Sequence, residues 1–315
     1  MGMYCFGIDV GGTSVKCGLF LTNGTLVEQW EIPTRLENNG SSILPDVADA
    51  IKTKLDERGI TKDNVDGVGI GIPGPVNENG EVPMAVNLHW GFKAVASELS
   101  ALTGLPAKAA NDANIAALGE AWKGAAEGAK NVILVTLGTG VGGGIIIDSK
   151  IIAGYHGAGG EIGHACVNHN EVRPCNCGNH GCLEQYASAT GIVRVAQRTL
   201  AATEEETVLR KFTKLSAKNV LDAFKEGDKV ACDVMAQVGE MLGGTLAMFA
   251  CVTDPEAIVI GGGVSKAGQP LIDCIQKYYK KYAFSACKET PIILANLGND
   301  AGIYGSARMV IKEAQ

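Results

Sequence analysis

The chain has 315 residues, 46% apolar and 19% charged. That is too apolar for a disordered polymer and long enough for about two domains whose cores need no disulfide staples. Lys and Arg number 27 against 34 Asp and Glu, a net charge of −7 with no basic stripe, so nucleic acid is not an expected partner. Glycine is in excess, at 42 residues. The glycines cluster beside apolar runs with no fixed period, which excludes collagen and points to tight turns where backbone approaches a ligand. The start, MGMYCFGIDV, lacks the basic and apolar stretches of a signal peptide. The longest apolar run, Val132 to Ile147, is interrupted by Thr136, Thr139 and glycines, too broken for a membrane span. These features predict a cytoplasmic protein with no membrane partner, whose ten cysteines serve as thiols or metal ligands.

Residues 4 to 33 read as three short strands, YCFGID, SVKCGLFL and TLVEQWEI, with Asn23-Gly24 turning between the second and third. A helical pattern covers about 41 to 58, with Gly59 at the expected C-terminal cap. Val65 to Ile72 is a buried strand ending at Pro73-Gly74-Pro75, and Ala107 to Ala110 is a short strand leading into a helix after Asp112. Near residue 130 the pattern restarts. NVILVTLGTGVGGGIIID repeats the opening theme of strand, Gly/Thr turn and strand, and Ala257 to Gly263 adds another strand and glycine run, which suggests an internal duplication. Helices are predicted at about 186 to 201, 217 to 225, 228 to 252, 265 to 283 and 300 to 313. The pattern predicts an α/β protein in two lobes, 1–115 and 116–299, with the helix at about 300–315 packing back on the first.

Gly138, Gly140 and Gly143 match the dinucleotide fingerprint GxGxxG, but that motif requires a helix next, and the β-branched run Ile145-Ile146-Ile147 follows instead. A P-loop is absent from the sequence. What remains is a pair of strand-turn-strand elements, Asp9-Val10-Gly11-Gly12-Thr13 and Leu137-Gly138-Thr139-Gly140. Each offers unobstructed backbone N–H groups plus a hydroxyl, which suits the oxygens of a triphosphate. Asp9 can hold Mg²⁺ through water, with Lys16 countering charge nearby, and Gly261-Gly262-Gly263 is available for the nucleoside end.

Cys175, Cys177 and Cys182 fall in a loop that Gly178 and Gly181 let fold back, and three thiolates so spaced can fill three corners of a zinc tetrahedron. For the fourth corner, His164 is favoured over His169 and over His180, which lies inside the chelate loop. Four protein ligands close the coordination sphere, so a zinc here is structural. Reduced structural cysteines or a disulfide are the alternatives. Asp112, where a short strand meets a helix, reads either as a helix cap or as an acid facing a ligand crevice. Glu161 and Glu184 flank the cysteine loop, and a metal would bring both toward one place.

Together these pieces resemble the ROK family of sugar kinases and repressors, within the actin and hexokinase-like (ribonuclease H-like) superfamily. The matching segments are GIDVGGTSVKCGLF, GIGIPGPV, NLHW, NDANIAALGE, LVTLGTGVGGGII, GEIGH, CNCGNHGCLE and AIVIGGGVS, with the ATP-dependent glucokinase branch the most similar. The resemblance implies a two-lobed fold with a zinc loop over 164–184, and ATP-dependent phosphorylation of glucose at its 6-hydroxyl, with N-acetylmannosamine, fructose or allose as alternative substrates. It casts Asp112 as the general base and Asn87, Asn111, Glu161, His164 and Glu184 as contacts to the sugar hydroxyls. Asp9, Gly11, Gly12, Thr13, Thr139 and Gly140 would serve the phosphates and Mg²⁺, and Gly262 and Gly263 the adenosine. His164, Cys175, Cys177 and Cys182 would hold a zinc that organises the loop and performs no chemistry. The step from His164 to Cys175 is one residue longer than the family pattern, which keeps His169 in play, and Ser14 stands where many members carry Lys. The family includes regulators with a helix-turn-helix domain before the first phosphate turn, for which Asp9 leaves no room here; relatives are often homodimers or homotetramers.

Overall fold

The computed structural model describes residues 2–312. The opening apolar runs form β1 (Tyr4–Val10), β2 (Ser14–Leu21) and β3 (Leu26–Pro33), the last two joined at Gly24, whose positive φ of 96° a side chain would resist. A distorted turn, α1 (Glu37–Gly40), precedes α2 (Ile43–Arg58), which ends as predicted on left-handed Gly59. β4 (Val65–Ile72) is buried along its whole length, and after α3 (Val95–Thr103) the strand β5 (Ala107–Asn111) runs directly into α4 (Asp112–Lys123). β6 (Val132–Leu137), β7 (Val141–Ile147) and the short β8 (Lys150–Ile151) follow. The rest is α5 (Glu184–Ala187), α6 (Ala189–Ala202), α7 (Ala217–Lys225), α8 (Lys229–Thr253), β9 (Ala257–Gly261), α9 (Gln269–Tyr282), β10 (Ile292–Leu294) and α10 (Ala301–Val310).

Two predicted helices are shorter or broken. The helix expected over 186–201 is interrupted at Ser188, whose backbone is extended and whose hydroxyl accepts the Gly191 N–H at 2.9 Å, starting α6 afresh. The helix expected from 265 begins only at Gln269, after a 3₁₀ turn and Gly268 at φ 78°.

The strands make two sheets of the same plan. The first has order β3-β2-β1-β4-β5 and the second β10-β9-β6-β7-β8. Starting from the hairpin edge, each runs third, second and first strand of its segment, then two strands parallel to the first: β4 pairs parallel with β1 and β5 with β4, while β9 pairs parallel with β6 and β10 with β9. The internal duplication read from the sequence is therefore a duplication of topology.

The chain forms two compact units. The first gathers the residues up to Lys130, Gly144–Gly160 and those from Asn296 onward; the second holds Asn131–Gly143 and Glu161–Ala295. The first unit thus runs past residue 115, where the sequence pattern divides the chain, because α4 packs along α10. In that unit α10 also lies on β1 and β4, seated on glycines. A methyl group added at Gly7 would stand 1.9 Å from the Ile303 carbonyl oxygen, and one at Gly69 would stand 1.7 Å from that of Ser306. Gly119 and Gly305 give the same close approach between α4 and α10. The second unit has its own core, in which Ile133, Val135, Val234, Leu242, Ile275 and Tyr279 are fully or almost fully buried. Among the described residues α8 alone is long and apolar enough to cross a membrane by length and composition, and its apolar face is buried in this core.

Candidate active site

In the first unit, Asp9, Gly71 and Ala110 are neighbours across three parallel strands, close to the strands' carboxyl ends, where open α/β sheets bind ligands. Asn111 ends β5 and Asp112 begins α4. The helix-capping task that the sequence left open for Asp112 falls to Asn111: its Oδ1 accepts the N–H groups of Ala113 at 2.9 Å and Asn114 at 3.2 Å. Its Nδ2 donates to the Gly74 carbonyl at 3.0 Å, tying α4 to the Pro-Gly-Pro turn. Asp112 is exposed at the helix N-terminus, where its Oδ1 also accepts the Ala113 N–H at 2.8 Å. Sequence reasoning missed Asn114, which is buried with its Oδ1 unpaired among the described residues, an uncommon state for a core amide.

Asp9 is crowded by backbone: a methyl at Gly302 would meet its carboxylate at 2.3 Å. Burial, and after it the repulsion of Asp112, push the Asp9 carboxyl up to about 6, with Lys16 pulling in the opposite direction. Lys16 donates to the Asn299 carbonyl at 3.0 Å and pairs with Asp300 at 3.5 Å, so its charge is shared with the turn ahead of α10. The glycine turn beside Asp9 is held by its own backbone. Gly11 N–H donates to Ser14 at 3.0 Å, and the Thr34 hydroxyl donates to the Gly11 carbonyl at 2.7 Å. Gly12 and Thr13 are exposed, and nothing lies within 4 Å of where a Gly12 side chain would start. Packing does not require glycine there. Asn87 stands apart in sequence, exposed on a 3₁₀ turn (Val86–Leu88) that the Trp90 indole anchors by donating to the Gly40 carbonyl at 3.1 Å.

In the second unit the corresponding turn follows β6. Gly138 and Thr139 are fixed by the start of α6, since Ala189 N–H donates to the Gly138 carbonyl at 2.8 Å and the Thr190 hydroxyl to that of Thr139 at 2.9 Å. Leu137 and the second glycine run lie side by side, because Gly262 takes a φ of 84° and a methyl on it would strike the Leu137 carbonyl at 2.5 Å. Gly263, like Gly12 and Gly138, has open space around it.

The same unit holds the thiol cluster. One donor atom from each of His164, Cys175, Cys177 and Cys182 lies within 4.8 Å of all the others. Cys177 Sγ and Cys182 Sγ are 3.6 Å apart, and Cys175 Sγ is 3.8 Å from His164 Nδ1. A tetrahedral zinc with Zn–S bonds of about 2.3 Å needs sulfurs about 3.8 Å apart, so this donor set fits the ion. His169 turns elsewhere, its Nδ1 3.4 Å from the thiol of Cys166. All ten cysteines are free thiols, which removes the disulfide alternative. Glu161 and Glu184 flank the cluster through His164, with carboxylate oxygens 3.9 and 4.0 Å from its ring nitrogens. The Cys175 thiol donates to Glu184 Oε1 at 2.9 Å, and a methyl on Gly140 would meet Glu184 Oε2 at 2.7 Å. Glu184 is thus wedged between the thiol cluster and the second glycine turn.

A duplicated sheet plan with a glycine turn after the first strand of each copy, an acid at a helix start and a closed thiol–imidazole set is the layout of a sugar kinase class. The ROK family model matches residues 5–313, and the chain belongs to the ROK family. It is 42% identical to a glucokinase of Halalkalibacterium halodurans, over 96% of this chain and 94% of that one. A crystal structure of a ROK family glucokinase from Streptomyces griseus, in complex with glucose and AMPPNP, superposes with a TM-score of 0.72 at 33% identity, covering 97% of this chain and 98% of the other. A xylose repressor of Caldicellulosiruptor bescii is 28% identical over 98% of this chain but 78% of its own length.

Proposed function

We propose that this chain transfers the γ-phosphoryl group of ATP to the 6-hydroxyl of glucose, in the cytoplasm and as a homodimer or homotetramer. The observation that carries the reading is the place of Asp112: an exposed carboxylate at the start of α4, beside the carboxyl ends of β1, β4 and β5, where open α/β sheets bind ligands. Support comes from the glucokinases among the relatives and from the open glycines Gly12, Gly138 and Gly263, whose surroundings leave room for a ligand and give no packing reason for glycine.

Phosphoryl transfer asks a protein mainly for placement and for a home for developing charge. Asp112 accepts the proton of the attacking hydroxyl. Asn87, Asn111, Glu161, His164 and Glu184 hold the remaining sugar hydroxyls. Gly11, Gly12, Thr13, Thr139 and Gly140 present N–H and O–H donors to the phosphate oxygens, and Gly262 and Gly263 line the adenosine. Asp9 would hold Mg²⁺, which neutralises charge on the transferred group. His164, Cys175, Cys177 and Cys182 would hold the structural zinc.

The test is Asp112→Asn, which is expected to bind glucose with nearly unchanged affinity by calorimetry while turnover falls about 10²- to 10⁴-fold. Turnover near the wild-type level would reject Asp112 as the base. A panel of glucose, N-acetylmannosamine, fructose and allose assayed under one condition fixes the sugar, and light scattering fixes the oligomer.

A further inference from the structure

The zinc loop has a second fastening that owes nothing to metal. Glu171 lies in the middle of the loop with its side chain almost entirely buried, and both of its oxygens are fully used. Oε1 accepts from Arg198 Nη2 and from the Arg173 N–H, each at 3.0 Å, while Oε2 accepts from the Tyr186 hydroxyl at 2.6 Å and lies 2.8 Å from Arg198 Nη1. This is a two-pronged Arg–carboxylate pair with two further donors, the strong form of charge-assisted bonding. Tyr186 in turn accepts from Asn168 Nδ2 at 2.9 Å.

The consequence falls on α5. That helix is a single turn without a side-chain cap, and it carries Glu184. Four residues are too few to hold a helix by their own hydrogen bonds. Its orientation therefore comes from its side chains: Tyr186 is bound to Glu171, and Gln185 accepts the Cys182 N–H at 3.1 Å while donating to the Arg173 carbonyl at 3.0 Å. Arg198 completes the brace from α6.

We propose that Glu171, Tyr186 and Arg198 are positioning residues that lock α5, and with it Glu184, in the orientation that binds sugar, through bonds in which no side chain of the thiol–imidazole cluster takes part. The role of Glu184 rests on the kinase reading above; the bracing of α5 does not.

The experiment compares Glu171→Gln, Arg198→Met, Arg198→Lys and the milder Tyr186→Phe in the zinc-loaded protein. Glu171→Gln and Arg198→Met are expected to raise the glucose KM about tenfold, a loss of about 1.4 kcal/mol, with kcat within about twofold. The ATP KM and the zinc content should stay unchanged. Amide hydrogen exchange should quicken over residues 182–187, with Arg198→Lys intermediate because a lysine keeps the charge but not the two-pronged geometry. If Glu171→Gln proves too unstable to purify, Tyr186→Phe must still show the exchange change. Unchanged exchange at 182–187 overturns the proposal, and so does zinc loss in step with the KM change, which would route the effect through the metal. If the wild-type protein phosphorylates no hexose, the kinase reading fails while the exchange readout still decides the bracing.

Discussion

Asp9 and Asp112 show how a few ångströms of crowding set the chemistry of single residues. Burial and the neighbouring Asp112 raise the Asp9 carboxyl to about 6, above the ordinary 3.8 of an unfolded chain. A folded value raised in this way means that the native state holds its proton more tightly. The associated stability is present below 3.8 and is lost as pH rises through 6. At pH 7.5 the unliganded protein therefore carries a cost of about 3 kcal/mol at this position. Asp9→Asn is expected to raise the melting temperature by about 5 °C at pH 7.5, to make little difference near pH 4, and, on the proposed role of Asp9 in holding Mg²⁺, to lose turnover. Equal melting temperatures at both pH values would refute the assignment. The sequence showed Asp9 at a strand end and Asp112 at a helix start. It did not show that Asn111 takes the capping bonds, because adjacent Asn and Asp are equally good caps until the backbone of β5 fixes which side chain turns back over α4.

Among the elements, legibility followed burial and local punctuation. β4 and α7 begin and end where the pattern places them, since a continuous apolar run and a Ser216 capping box are local signals. The break between α5 and α6 was missed because Ser188 reads as an ordinary helical residue until the Glu184 turn claims its own direction. His164, and not His169, shares the 4.8 Å cluster with the three thiols, a loop geometry that spacing alone leaves open. Glycines separate into two kinds that no sequence distinguishes. Gly305 admits α4, where a methyl would stand 1.7 Å from the Ile115 carbonyl, whereas Gly12 faces open space. Gly305→Ala is expected to destabilise the first unit by about 3 kcal/mol or more through overpacking, read as a lower denaturant midpoint. Gly12→Ala should leave that midpoint unchanged and raise the KM for ATP. Equal midpoints for the two variants would contradict this division.

For the molecule as a whole, the repeated sheet plan gives each unit one glycine turn after its first strand, and the thiol cluster belongs to the second copy alone. Removing a metal held by that cluster should therefore loosen a loop and leave both cores folded. Cys177→Ser is expected to bind less than one zinc per chain, to raise the glucose KM by about tenfold or more, and to keep its far-ultraviolet circular dichroism. Loss of the fold itself would show the ion to be a core element. Glu120 has a comparable structural duty in the first unit: it is buried and accepts the Ala125, Asn296 and Leu297 N–H groups at 2.7, 3.3 and 2.9 Å, fastening the segment that leads to α10. That α10 fills a glycine-floored slot on β1 and β4 bears on how the protein is made. A ribosome releases β1 well before α10, so the first sheet must wait, half-bare, for the whole of the other unit to be translated. Nascent chains stalled before residue 296 should expose that sheet to proteases and recruit chaperones, while the second unit is already free to condense.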